Sequence, residues 1–108
     1  MIEIRFEEKL IRYEDSFLHY LDQPASPETI QKLVTYCVLY SEALIDEEQA
    51  SYIDIEKRVD QLRKNAQILV SCRLRLRFEY SLGGPIIDEI DQALASIEEF
   101  ARTYFSRL

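Results

Sequence analysis

Tryptophan is absent from this 108-residue chain, glycine occurs twice, proline three times, cysteine twice and histidine once. Each scarcity excludes something. Two glycines and three prolines cannot supply the many tight reversals of a sandwich or barrel. Cys37 and Cys72 stand 35 positions apart in apolar surroundings, without CxxC spacing. They read as buried reduced thiols rather than a disulfide or half a metal site. His19 is the one candidate for any histidine base, and Asp15, four residues earlier, shares its helix face. No serine or cysteine lies on a strand–turn–helix elbow that would make it a nucleophile. His19 therefore reads as a surface residue with an ion-pair partner. Long apolar runs are missing too, since a membrane span needs about 20 such residues. Residues Met1 to Glu8 alternate charged with apolar side chains and do not form a basic segment followed by an apolar one. The expectation is no membrane partner and a cytoplasmic address.

What is present belongs to a globular protein. Hydrophobic content of 47% and charged content of 31% lie in that range, and the length suits a single domain over residues 1–108. The net charge of −7 disfavours a general nucleic-acid binder and suits a protein whose partner has a basic surface. The charge is uneven. Residues 1–56 hold 4 basic and 13 acidic side chains, residues 57–80 hold 7 and 2, and residues 81–108 hold 2 and 5. The middle segment is a basic rod among acidic elements. Its arginines and lysines are expected to face acids on neighbouring helices or on a second copy. A strip from Lys57 to Arg77 that touches nucleic acid is the alternative.

Apolar spacing is helical almost throughout. Phe6, Leu10, Tyr13, Phe17, Tyr20 and Leu21 draw one stripe. Pro24 to Pro27 breaks it, and Ser26 followed by Pro27 and Glu28 is a helix start. Ile30, Leu33, Val34, Cys37, Val38, Tyr40 and Leu44 mark the second helix. Tyr52, Ile55, Val59, Leu62, Ala66, Leu69, Arg73, Leu76 and Tyr80 run in strict three- and four-residue steps, a heptad seam that predicts one long helix. Gly83-Gly84 predicts its stop and Pro85 the next start. Ile86, Ile90, Ala93, Leu94, Ile97, Phe100, Ala101, Tyr104 and Phe105 mark the last helix. The fold predicted is all-α: an antiparallel bundle of about four helices over residues 3–22, 27–45, 49–81 and 86–107. One rival pattern exists. Residues 72–80 and residues 2–7 also alternate with period two, so an α+β fold with that strand pair is the alternative.

No constellation of catalytic residues emerges, and no cofactor is expected. Acids cluster at Glu7-Glu8, Asp46 to Glu48, Asp88 to Asp91 and Glu98-Glu99. Yet the chain has neither the EExxE spacing by which helical nucleotide pyrophosphohydrolases gather oxygens around Mg²⁺ nor an ExxH pair for a di-iron bundle. The function expected is a small acidic protein-interaction module, of the adaptor, chaperone or inhibitor kind, without a catalytic site. A carboxylate-rich bundle binding a divalent metal or small ligand is the second class. A homodimer is also expected. A helix over residues 49–81 would be about 50 Å long and would overreach its neighbours of about 30 Å. Its apolar residues split into two faces, with Val70, Leu74 and Phe78 off the seam. Those three, bordered by Arg73, Arg75 and Arg77, form the candidate interface.

Overall fold

Ser26 fixes where the second helix begins. Its backbone is extended, and its hydroxyl accepts the Thr29 N–H at 3.1 Å while Pro27 takes the first helical position. The computed structural model describes residues 6–106, with the side chains of residues 6–8, 48 and 49 outside that description. The elements are α1 (Phe6–Leu21), α2 (Pro27–Ile45), α3 (Glu47–Ala50), α4 (Ile55–Phe78) and α5 (Pro85–Ser106). The described residues contain no strand, and the helices pack on one another as an all-α bundle.

α2 is the central rod. It packs against α1, α3, α4 and α5, and buries Ile30, Leu33, Val34, Cys37, Val38, Tyr40, Ala43 and Leu44. A helix that is apolar over so much of its circumference is stable only when surrounded. α1 lies on it through Leu10 and Phe17, with the Tyr20 ring stacked on Tyr36 at 5.5 Å between centroids. α4 and α5 pack on α2 and on each other. Residue pairs such as Arg58 with Phe100 and Arg73 with Asp91 set these two helices antiparallel.

The long helix forms over Ile55–Phe78 rather than over residues 49–81. Glu47–Ala50 is a separate short helix, and α4 starts only after Asp54. Asp54 stands at the N-cap position without a side-chain cap hydrogen bond, and it and Glu56 place negative charge at the start of the helix. Tyr52, expected on the seam, consequently sits exposed in the connection. At the other end the helix stops before the glycines. The Leu82 N–H folds back to the Leu76 carbonyl at 2.7 Å, with Ser81 in the left-handed region at φ 54°. Gly84, at φ 75°, serves the start of α5 instead, its carbonyl accepting the N–H groups of Ile87 and Asp88. α4 thus has 24 residues, about 36 Å, which nearly matches the 22 residues of α5 and exceeds the 19 of α2 by little more than one turn.

The strand alternative fails on the same element. Residues 72–78 are helical, and residues 2–5 lie outside the described residues while Phe6 and Glu7 already belong to α1. The period-two alternation of arginine with leucine is overridden because Leu69, Cys72 and Leu76 reach the core together only at helical spacing.

The buried seam is rotated from the expected one. Arg58, Leu62, Asn65, Leu69, Cys72 and Leu76 are the residues that face inward, with Val59 beside them. Ala66 and Arg73, expected on the seam, stand at its border toward α5. Leu62 and Leu69 belong to both versions. Truncating either to alanine is expected to cost about 2–5 kcal/mol in denaturant melts at protein concentrations low enough to hold the chain monomeric, whereas Leu74→Ala, on the outer face, should there stay within about 0.5 kcal/mol of wild type. A change at Leu62 or Leu69 no larger than at Leu74 would show the seam to be misassigned.

Candidate functional site

The rotation of α4 decides what its outer face presents. Val70, Leu74 and Phe78, one helical turn apart, are 45%, 50% and 79% exposed. They form one apolar ridge on the side away from the core. Of the three arginines beside it, two are engaged within the chain. Arg73 donates from Nε and Nη2 to the Asp91 carboxylate on α5, at 2.8 and 3.4 Å. Arg75 donates to Glu79 one turn on, at 3.3 Å. Arg77 is exposed and makes no ion pair among the described residues.

α1 carries a second exposed ridge, which includes Leu21 although its spacing placed it on the inner stripe. Ile11, Leu18 and Leu21 are 44–52% exposed. The signal was present as apolar doublets: Leu10-Ile11, Phe17-Leu18 and Tyr20-Leu21. In each doublet the first side chain turns to α2 and the second is more exposed. Asp15 and Asp22, one turn from Leu18 on either side, are exposed and form no ion pair among the described residues.

The basic strip is not one surface. Arg58, expected to face an acid on a neighbouring helix, is 2% exposed. Its Nε donates to the Leu44 carbonyl at 2.7 Å, Nη2 to the Ile45 carbonyl at 3.2 Å and Nη1 to Glu47 at 3.2 Å. The guanidinium lies over the Phe100 ring at 5.1 Å. Arg63 lies over Phe105. A cation at the C-terminus of α2 meets the negative end of the helix dipole, and the planar fork takes two carbonyls at once.

A cleft of about 370 Å³ opens beside this arginine, lined by Ile45, Ile55, Phe100 and Tyr104 with Glu47 and Glu99. Desolvation and the neighbouring carboxylates of Glu56 and Asp60 raise the Tyr104 pKa above its ordinary value. The volume falls at the low end of ligand clefts.

Inside the bundle, polar groups pair with one another. Asn65 Nδ2 donates to the Ser41 hydroxyl at 3.1 Å, Gln61 donates to Asn65 Oδ1 at 2.9 Å, and the Cys37 thiol points to the Asn65 carbonyl at 3.7 Å. Tyr40 donates to Glu14 at 2.8 Å, and burial followed by that carboxylate raises its pKa. Burial pushes the Cys37 thiol from 9.0 up to about 12 and Cys72 up to about 11, so both stay protonated and unreactive at neutral pH. The cysteines are free and buried. His19 is exposed, its ring edge-on to Tyr20, and makes no ion pair with Asp15 among the described residues. No three histidine, cysteine or acidic side chains come together as a possible metal cluster among the described residues, and no helix there is long and apolar enough to cross a membrane.

Comparison with protein families, with curated proteins and with solved structures finds no match to this chain.

Arg58→Lys keeps the charge but loses the fork, leaving a buried carbonyl of α2 without its donor. Urea melts should show a loss of about 2–3 kcal/mol; a loss under about 0.5 kcal/mol would show that these hydrogen bonds contribute little. The thiols set an alkaline limit. In the unfolded chain they release protons near 9.0, in the folded chain only near 12 and 11. The unfolded state is thus favoured as pH rises above about 9, so the thiols leave stability unchanged below that pH and lower it above. Denaturation midpoints across that range check this, and the fall should shrink in a Cys37→Ala/Cys72→Ala variant.

Proposed function

We propose that this chain is a small helical protein-interaction module that works through self-association, with the outer ridge of α4 as its contact face and no catalytic centre of its own. The observation that carries the reading is Phe78, 79% exposed at the end of a ridge continued by Leu74 and Val70. Single exposed apolar residues are ordinary, but a contiguous ridge bordered by polar groups marks a contact surface. A second copy is the occupant that the chain's own charge favours. The ridge is bordered by Arg77, which has no ion pair among the described residues, while Asp15 on α1 and Asp22 just after it are exposed and likewise unpaired there. Every molecule therefore carries both an arginine-bordered apolar face and an acidic surface to receive it.

Sedimentation equilibrium at about 50 µM should return twice the 12.8 kDa chain mass. A Leu74→Glu/Phe78→Glu variant should return the monomer mass with unchanged helical circular dichroism. A wild-type mass of one chain would overturn the reading.

A further inference from the structure

We infer that the surface seated on the α4 ridge is the outer ridge of α1 from the second copy, so that each half of the dimer is an α1–α4 contact. This rests on the self-association proposed above and names the face that does the receiving.

Area argues first. With roughly 150–250 Å² for a large side chain in full exposure, Val70, Leu74 and Phe78 offer roughly 300 Å² per copy. Two α4 ridges facing each other would then bury roughly 600 Å² in all, the size of an incidental lattice contact. Ile11, Leu18 and Leu21 add roughly 250 Å² per copy on the same reckoning. A two-fold arrangement that joins α1 to α4 twice covers all six residues, roughly 1,100 Å² of apolar surface before any polar border is counted, close to the smallest stable interfaces.

Charge argues second. An α4–α4 contact sets Arg77 and its basic segment against their own copies, and like charges across an interface disfavour it. α1 offers the opposite sign. Its outer ridge runs Ile11, Asp15, Leu18 at heptad steps, and Asp22, in the turn just past its end, continues them, apolar and acidic in turn. The outer ridge of α4 runs Val70, Leu74, Arg77 at the same steps, with Phe78 beside it. Asp15, Asp22 and Arg77 are all exposed and free of ion pairs among the described residues, unlike Arg73 and Arg75. Length agrees as well, since Ile11 to Leu21 spans about 15 Å and Val70 to Phe78 about 12 Å. Within one chain the two ridges do not cover each other. Both helices lean on α2, and a groove of about 170 Å³ lies between Leu21 on α1 and Arg75 on α4.

Charge reversal on each side tests the pairing. Asp15→Lys/Asp22→Lys and, separately, Arg77→Glu should each weaken the dimer by at least about tenfold at physiological salt. An equimolar mixture of the two variants should recover a dimer of wild-type affinity, because one of its two contacts is native and the other has both charges exchanged. An Ile11→Gln/Leu18→Gln variant with wild-type circular dichroism reads the same face without charge and should also dissociate. If the wild type dimerises and the α4 ridge variant does not, but both α1 variants dimerise as wild type, the α1 assignment is overturned while self-association stands. A mixture that stays monomeric also overturns it. A monomeric wild type removes both proposals together.

Discussion

One buried guanidinium ties the bundle together. Arg58 leaves water almost completely, so its donors need partners inside the protein. It finds them at the C-terminal carbonyls of α2 and on α3, and its flat face rests on Phe100 of α5. Four elements meet around a side chain that belongs to the first turn of α4. To bring it there the chain must reverse directly after α2, which is why α3 is a fragment and α4 begins at Ile55. With Phe100 held under the guanidinium, the space between α2 and α5 stays open beside it, and the 370 Å³ cleft is the result.

A second, polar pairing sets the rotation of α4. Asn65 has no exposure and is satisfied by Ser41 and Gln61, so it occupies a core position that a hydrophobic residue would otherwise hold. Buried polar groups fix register because any other rotation leaves them unpaired. With Asn65 and Cys72 turned inward, Ala66 and Arg73 move to the border with α5, and Val70, Leu74 and Phe78 are carried to the outside. The surface chemistry of the helix therefore follows from a hydrogen bond in the core.

The helices themselves were legible from residue spacing. Ser26-Pro27 named the start of α2, and the α2 stripe marked its buried face; the α5 stripe held Ile90, Ala93 and Ile97 but missed buried Ile87 and carried Phe105, which is half-exposed. The region from residue 46 to residue 58 was not legible. Its heptad steps continue through Tyr52 as if helical, and nothing in the spacing announces that an arginine six residues on will be buried. Arginine is read as a surface residue by default, and only the carbonyl ends of another helix make its burial favourable. The α4 ridge could be seen as a second apolar face, whereas the α1 ridge was hidden inside doublets that looked like a widened inner stripe. The cleft at Phe100 depends on residues from α2, α4 and α5, and no local pattern joins them.

The edge position of α1 gives the molecule a graded resistance to opening. α4 and α5 each rest on two long helices, but α1 leans chiefly on α2 and is joined to it by a short segment, residues 22–26, that holds Pro24. The hydrogen bonds of such an element exchange with solvent through a local opening that leaves the remaining helices folded. Whatever grips the outer side of α1 draws free energy from closing that equilibrium as well as from contact, because only the docked helix offers the complete surface. Occupancy and local rigidity then rise together, and amide protection along residues 6–21 would follow concentration even while the centre of α2 stayed unchanged.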